Sequence, residues 1–132
     1  MVKKIISLLW LWTPVFIWMG MIFYSSSLIM EESKIDVPNI DKLFHFIEYF
    51  ILGYLWTRAL TYTSSNPNYL YIFIAAVIIS TLYGVSDEVH QLFVPTRSCD
   101  AIDLLSDLAG SAAGAGLSVY KERIKRAIDK TV

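Results

Sequence analysis

Residues 5–24, IISLLWLWTPVFIWMGMIFY, decide the fold, because none of these consecutive positions carries a charged side chain. A helix needs about 20 mostly apolar residues to cross the hydrocarbon core of a bilayer, so the segment predicts a membrane-spanning helix. A secretory signal peptide has a shorter apolar core of about 7–15 residues and ends in a small-residue cleavage pattern. This segment is longer and ends in Phe23-Tyr24. We therefore interpret it as an uncleaved span that is kinked or loosened at Pro14.

Three further segments of similar length follow, at about residues 43–62, 69–92 and 101–120. The second and fourth spans contain charged residues within mostly apolar or small-residue sequence, whereas the third begins with a charge-free stretch from residue 69 to residue 86. Only short connections separate the last three spans. The sequence therefore predicts one all-α domain over residues 1–132, folded as a compact bundle of four transmembrane helices.

The composition of the whole chain agrees with a membrane protein. Hydrophobic residues make up 55% of the 132 positions and charged residues 17%, whereas a soluble domain carries about 25% charged residues. The single cysteine excludes a disulfide framework, and no spacing of Cys and His resembles a zinc finger. A formal net charge of −1 provides no basic surface for nucleic acid. We therefore expect the lipid bilayer as a partner and no nucleic acid.

Basic residues near the ends of the spans predict the orientation. Lys and Arg accumulate in cytoplasmic segments, and here they cluster before the first span and after the fourth. Both termini are then cytoplasmic, and loops 25–42 and 93–100 face outward. The outer half holds only three basic residues, Lys34, Lys42 and Arg97. It holds ten acidic residues, namely Glu31, Glu32, Asp36, Asp41, Glu48, Asp87, Glu88, Asp100, Asp103 and Asp107.

Polar side chains recur at the spacing of one helix face in three of the spans. These stripes are Asp41-His45-Glu48 in the second span, Tyr83-Asp87-His90 with Gln91 in the third, and Asp100-Asp103-Asp107 in the fourth. An ionised side chain costs about 2.5–3.5 kcal/mol at the centre of a membrane helix, so such groups face the bundle interior and mark functional sites. The pattern Gly110-x-x-x-Gly114 predicts close helix packing. We expect the stripes to converge in an outward-opening pocket to which all four helices contribute.

The chemistry of such a pocket is open to three interpretations. Clustered carboxylates cannot all ionise without compensation, so Arg97 and Lys42 could pair with them. Alternatively, protonated and ionised carboxyl groups could coexist as general acid and base. A divalent metal ion is the third solution: oxygen ligands favour Mg²⁺, Ca²⁺ or Mn²⁺, and both histidines together would favour zinc. The candidate metal ligands are Asp87, Glu88, His90, Asp103 and Asp107. Taken singly, Asp41 fits a helix N-cap, and either histidine fits a packing role.

Five motifs together resemble the VanZ-like family over nearly the whole chain. They are Tyr24-Ser25-Ser26, Asp41-Lys42-x-x-His45-x-x-x-Tyr49, Tyr83-x-x-x-Asp87-Glu88-x-His90-Gln91-x-x-Val94-Pro95-x-Arg97, Asp103, and Gly110-x-x-x-Gly114. The third motif is the specific one. The chain departs from the family pattern in two places, since Thr96 stands where glycine is common and Asp107 where asparagine is common. Asp107 adds an ionisable group to the pocket.

The resemblance implies a small bacterial protein of the cytoplasmic membrane and cell envelope that is linked to teicoplanin (glycopeptide) resistance. Our leading hypothesis is an outward-facing site that binds or modifies a lipid-linked or peptidoglycan-related precursor. Candidate catalytic residues are His45, Asp87, Glu88, His90 and Asp103. Candidate binding residues are Ser26, Asp41, Lys42, Tyr83, Gln91 and Arg97. The alternatives are a small proton-coupled transporter or exporter, and a structural or regulatory membrane partner.

Overall fold

The chain forms four α-helices and no β-strand within the residues that the structure, a computed structural model, describes. Those residues are 2–28, 40–95, 97–129 and 131, with only the backbone described for residues 2–5. The helices are α1 (Val2–Ser26), α2 (Ile40–Thr63), α3 (Tyr69–Gln91) and α4 (Ala101–Asp129). The predicted all-α class with four helices is confirmed. The loop charges Glu31, Glu32, Lys34 and Asp36, the side chains of Lys3 and Lys4, and residues Thr96 and Lys130 lie outside the described part.

The helix boundaries differ from the predicted spans at both ends of the chain. α1 begins at Val2 and includes Pro14, and α4 continues past Tyr120 through KERIKRAID to Asp129. Lys, Glu, Arg and Ala have high helix propensity, so α4 extends beyond its apolar and small-residue part as an exposed basic helix. Between α2 and α3, the Asn68 side chain caps α3 by accepting hydrogen bonds from two backbone N–H groups at 3.1 and 3.3 Å.

The closest packing in the bundle joins the backbones of α2 and α4. A Cβ atom on Gly110 would overlap the carbonyl oxygen of Phe46, and one on Gly114 would overlap that of Phe50. Gly53 of α2 makes the reciprocal contact with the backbone of α4. Since both α4 contacts advance together along α2, the two helices run in the same direction. The prediction of close packing at Gly110-x-x-x-Gly114 is confirmed.

Burial in this bundle is the reverse of that in a soluble protein. The buried face of α4 consists of polar and small residues, including Asp103, Asp107 and Ser111. Large apolar side chains of the same helix point outward, as shown by Leu105, which is 62% exposed. Two segments, Ile6–Ser26 and Tyr69–Gln91, are long and apolar enough to cross a membrane. α2 and α4 fall short of that standard because charged and polar residues interrupt their apolar sequence.

Replacing Gly114 by alanine should destabilise the bundle, because the added methyl group overlaps the Phe50 carbonyl oxygen and pushes α2 away from α4. Overpacking costs about 1–3 kcal/mol, so we expect a lower melting temperature for the purified protein in detergent. Gly116→Ala is the matched control on the same helix, since its new methyl group would meet only Phe73 Cε2, at 3.9 Å. A Gly114→Ala variant that melts no lower than wild type would contradict the close contact.

Candidate functional site

Helix termini meet at one end of the bundle, which we call the site end. Because successive helices run in opposite directions, the C-terminal ends of α1 and α3 lie there beside the N-terminal ends of α2 and α4. Ser25 Oγ of α1 donates a hydrogen bond to Glu48 Oε1 of α2 at 2.9 Å. Lys42 Nζ of α2 lies 2.9 Å from Asp103 Oδ1 of α4. The polar stripes predicted from the sequence therefore meet at this end.

A cavity of about 300 Å³ lies at the site end. Its walls come from α1, α2, α3 and the segment that follows α3. α4 supplies none of the lining residues, in contrast to the expectation that all four helices would line the pocket, because its aspartates lie behind α2 and α3. The lining residues are Ser25, Ser26, Leu28, Asp41, Phe44, His45, Glu48, Asp87, Gln91 and Arg97. Six of these are candidates from the sequence, namely Ser26, Asp41, His45, Asp87, Gln91 and Arg97.

Lys42 is bound by carboxylates from two helices. Its Nζ atom lies 3.2 Å from Asp41 Oδ2, 2.8 Å from Asp100 Oδ2 and 2.9 Å from Asp103 Oδ1. Its hydrogen bonds to Asp100 and Asp103 raise the pKa of Lys42, and the bond from Lys42 lowers the pKa of Asp100. Of the pairings that the sequence left open, the structure forms that of Lys42 with Asp103. Lys42 therefore ties the start of α2 to the start of α4 rather than facing the cavity.

Three buried side chains from three helices form a second cluster, which we call the triad. His45 Nδ1 of α2 donates to Asp107 Oδ1 of α4 at 2.9 Å, and His45 Nε2 lies 4.0 Å from Glu88 Oε1 of α3. Asp107 is fully buried, and His45 and Glu88 are 5% and 3% exposed. Among the described residues this is the group of three whose potential metal-ligating atoms lie within 4.8 Å of one another. Of the ligands predicted from the sequence it contains only Glu88 and Asp107.

Of the remaining candidates on α3, two line the cavity or lie against it and two contact α1. Gln91 Nε2 donates to Asp87 Oδ2 at 3.3 Å, and both side chains are buried against the cavity. Tyr83 donates its hydroxyl to the backbone carbonyl of Met19 at 2.6 Å, and His90 Nε2 lies 3.0 Å from Ser27 Oγ. Tyr83 and His90 thus hold α3 against α1, and the structure does not place His90 in the triad.

Arg97 is the cationic side chain of the cavity wall. Its terminal nitrogen donates to the backbone carbonyl of Ser25 at 3.4 Å, and its buried Nε atom has no hydrogen-bond partner. Within the described residues Arg97 forms no ion pair with a carboxylate. Arg97 therefore lines the cavity as a cation without a carboxylate partner among the described residues, unlike Lys42.

Several residues of the site were given no catalytic, binding or metal role from the sequence. Glu48 and Ser25 line the cavity and bond to each other, and the stripe that Glu48 shares with His45 predicted its place in the pocket but not its role. Asp100 accepts from Lys42 and from the backbone N–H of Ile102 at 2.8 Å, a capping role indicated by its position just before α4. No polar pattern indicates the apolar lining residue Phe44.

The geometry can be compared with known proteins at this point. A family model described as VanZ/LLP1 matches residues 8–122. The chain belongs to the VanZ/LLP1 family. The matched range includes every site residue named above, so the cavity, the Lys42 cluster and the triad all lie within the family domain. No curated protein and no solved structure matches the chain.

Replacing Lys42 by methionine removes the cation shared by three carboxylates, and we expect a lower melting temperature at pH 7. The folded-state pKa of Asp100 is lowered by Lys42. Its contribution to stability is therefore present above the ordinary aspartate pKa of 3.8 and is lost as the pH falls through the lower folded-state value. The difference in melting temperature between wild type and Lys42→Met should shrink below about pH 4.

Lys121→Met is the control, because the Lys121 ammonium lies 5.6 Å from the centroid of the Tyr54 ring at the opposite end of the bundle. We expect a small change in its melting temperature that does not shrink in acid. Thermal melts of the three proteins between pH 3 and pH 8 make the comparison. A Lys42→Met deficit of the same size at every pH would show that the ion pairs with Asp41, Asp100 and Asp103 do not stabilise the fold.

Proposed function

We propose that all four helices span the bacterial cytoplasmic membrane and that the bilayer surrounds the bundle. The support lies in the outward side chains of the two less apolar helices. Leu43 and Ile47 of α2 are 54% and 44% exposed, and Ile102 and Leu105 of α4 are 54% and 62% exposed. Such residues would be covered by lipid, whereas His45 of α2 and Asp103 and Asp107 of α4 lie inside the bundle, as is usual for charged groups in membrane proteins.

The orientation follows from the end opposite the site. There, exposed cations of α4 lie against tyrosine rings, with Arg123 and Arg126 each 5.6 Å from the Tyr69 centroid and Lys125 5.5 Å from that of Tyr62. Basic residues beside interfacial aromatic rings are typical of the cytoplasmic surface. Both termini are then cytoplasmic, and the site end faces the outside of the cell.

The function that this geometry supports best is recognition or modification of an envelope component, either lipid-linked or related to peptidoglycan. One observation carries the proposal: Arg97 lines a cavity of about 300 Å³ and forms no ion pair with a carboxylate among the described residues. A guanidinium binds phosphate or carboxylate groups through charge-assisted hydrogen bonds. Membership of the VanZ/LLP1 family agrees with an envelope role connected with glycopeptide resistance.

The other polar groups of the cavity set the remaining chemistry of the ligand. Asp87, Glu48 and Asp41 are acceptors, so the ligand carries hydroxyl, amide or ammonium donors next to its anionic group. His45 also lines the cavity, and Asp107 behind it holds the ring by the bond to Nδ1. This bond fixes the orientation of the imidazole ring in the cavity wall.

A transport function finds less support. Among residues 6–26 of α1 no side chain is ionisable in the physiological range, and the buried carboxylates gather at the site end. A path of titratable groups through the bundle is therefore not present in the described residues. Binding of a ligand requires only the cavity and its opening at the site end.

Replacing Arg97 by alanine should abolish the function, because the anionic group of the ligand loses its charged donor. Loss of a charge-assisted hydrogen bond of about 1.5–3 kcal/mol corresponds to binding that is about 10- to 100-fold weaker. Cells that express wild type, Arg97→Ala or Asp87→Asn would be compared for teicoplanin susceptibility and for the composition of their lipid-linked and peptidoglycan precursors. We expect both variants to resemble cells without the protein.

Arg123→Ala is the matched control, since it removes an arginine from the opposite end of the bundle, and it should behave as wild type. Expression and melting temperature would be measured for every variant. If folded Arg97→Ala and Asp87→Asn proteins leave susceptibility and precursor composition as in wild type, the proposed site is wrong. Proton or substrate flux in liposomes that is lost in Asp107→Asn would favour the transporter instead.

A further inference from the structure

We propose that the triad of His45, Glu88 and Asp107 binds one divalent transition-metal ion, Mn²⁺ or Zn²⁺, between α2, α3 and α4. The three residues lie on three different helices, and one potential ligand atom from each falls within 4.8 Å of the other two. Each is at least nine-tenths buried. A single ion could therefore be reached by all three side chains without a large movement of the helices.

Two buried carboxylate oxygens of the triad have no hydrogen-bond partner in the protein, and this points to a bound ligand. Glu88 Oε1 and Asp107 Oδ2 have no hydrogen-bond partner, and Glu88 Oε1 is the oxygen that faces His45 Nε2 at 4.0 Å. An unpaired buried carboxylate oxygen is costly, because the group has lost its water without gaining a donor. A divalent cation would satisfy both oxygens and balance the charges of the two carboxylates.

The neighbouring cations are engaged elsewhere. Lys42 donates to Asp41, Asp100 and Asp103, and no basic side chain other than His45 forms an ion pair with Glu88 or Asp107 among the described residues. The single charge of a protonated His45 would balance only one of the two carboxylates, so the other lacks compensating charge inside the bundle.

The other atoms of these side chains are held as metal ligands usually are. His45 Nδ1 and Asp107 Oδ1 lie 2.9 Å apart, so an ion that takes the place of the proton between them would contact both, and Glu88 Oε2 accepts from the backbone N–H of Asp100 at 2.9 Å. Second contacts of this kind orient ligands and raise their basicity. Gly84 leaves room for the Asp107 carboxylate, because a Cβ atom on residue 84 would lie 2.6 Å from Asp107 Oδ2.

The ligand atoms select the class of metal. One imidazole nitrogen with two carboxylates suits Mn²⁺ or Zn²⁺, whereas Mg²⁺ and Ca²⁺ prefer oxygen ligands alone. His45 lines the cavity as well as the triad, so the ion would lie at the cavity floor and could contact an anionic group held by Arg97. That contact rests on the proposed function, but the metal site itself does not.

The experiment is a metal titration of the purified full-length protein after EDTA treatment, followed by calorimetry and by thermal melts. MnCl₂, ZnCl₂, MgCl₂ and CaCl₂ are added separately, with no envelope ligand present. We expect Mn²⁺ or Zn²⁺ to saturate one site per chain and to raise the melting temperature, with much weaker effects of Mg²⁺ and Ca²⁺. Glu88→Gln and Asp107→Asn should each bind at least about 10-fold more weakly. Glu122→Gln, at the opposite end of the bundle, should bind as wild type.

A second measurement uses neither Glu88→Gln nor Asp107→Asn. Pulsed EPR of wild type loaded with Mn²⁺ should detect one imidazole nitrogen, and since the chain has two histidines, His90→Gln should keep that signal. The absence of saturable binding to wild type, equal binding by folded Glu88→Gln and Asp107→Asn, or a signal lost in His90→Gln would each overturn the proposal. Because the titration contains no envelope ligand, its failure leaves the test at Arg97 intact, and the reverse also holds.

Discussion

The backbone contact between α2 and α4 is the constraint on which the rest of the structure depends. Gly110 and Gly114 let α4 lie directly against the carbonyl groups of α2, and this fixes the register of two helices that run in the same direction. One to two turns away, the same register places Asp107 beside His45 and Asp103 beside Lys42. Close packing of small residues thus sets the distances between the charged groups of the site.

A second feature of the structure is that many polar side chains are buried while many large apolar side chains are exposed. Carboxylates and hydroxyl groups share the centre of the bundle with a small apolar cluster of Ile22, Tyr49 and Leu52, and many leucines, isoleucines and aromatic rings lie on its outside. Buried charges are tolerated only when they are paired, protonated or bound to a cation. The site end shows two arrangements, since Lys42 pairs directly with Asp41, Asp100 and Asp103, and the triad has the ligand set for a metal. In the proposed function, Arg97 of the cavity wall binds an anion.

Much of this arrangement could be predicted from the sequence, because helical spacing alone assigns residues to one face. The stripes placed His45 and Asp107 on inward faces, and the glycine pattern predicted the contact that joins them. The sequence could not tell which stripe residues meet, because that depends on how far each helix is rotated about its axis. Rotation turns Tyr83 and His90 of α3 toward α1. It also places α4 behind the cavity wall rather than in it.

The central claim is that the site end of a membrane-embedded bundle faces outside the cell, and the single cysteine tests it most directly. Cys99 is exposed and lies next to the Lys42 cluster in sequence. A membrane-impermeant maleimide applied to intact cells should label wild type, whereas a Cys99→Ser protein that carries Asp129→Cys at the opposite end should react only after the membrane is permeabilised. Labelling of Cys99 only after permeabilisation, with Asp129→Cys reacting in intact cells, would contradict the account.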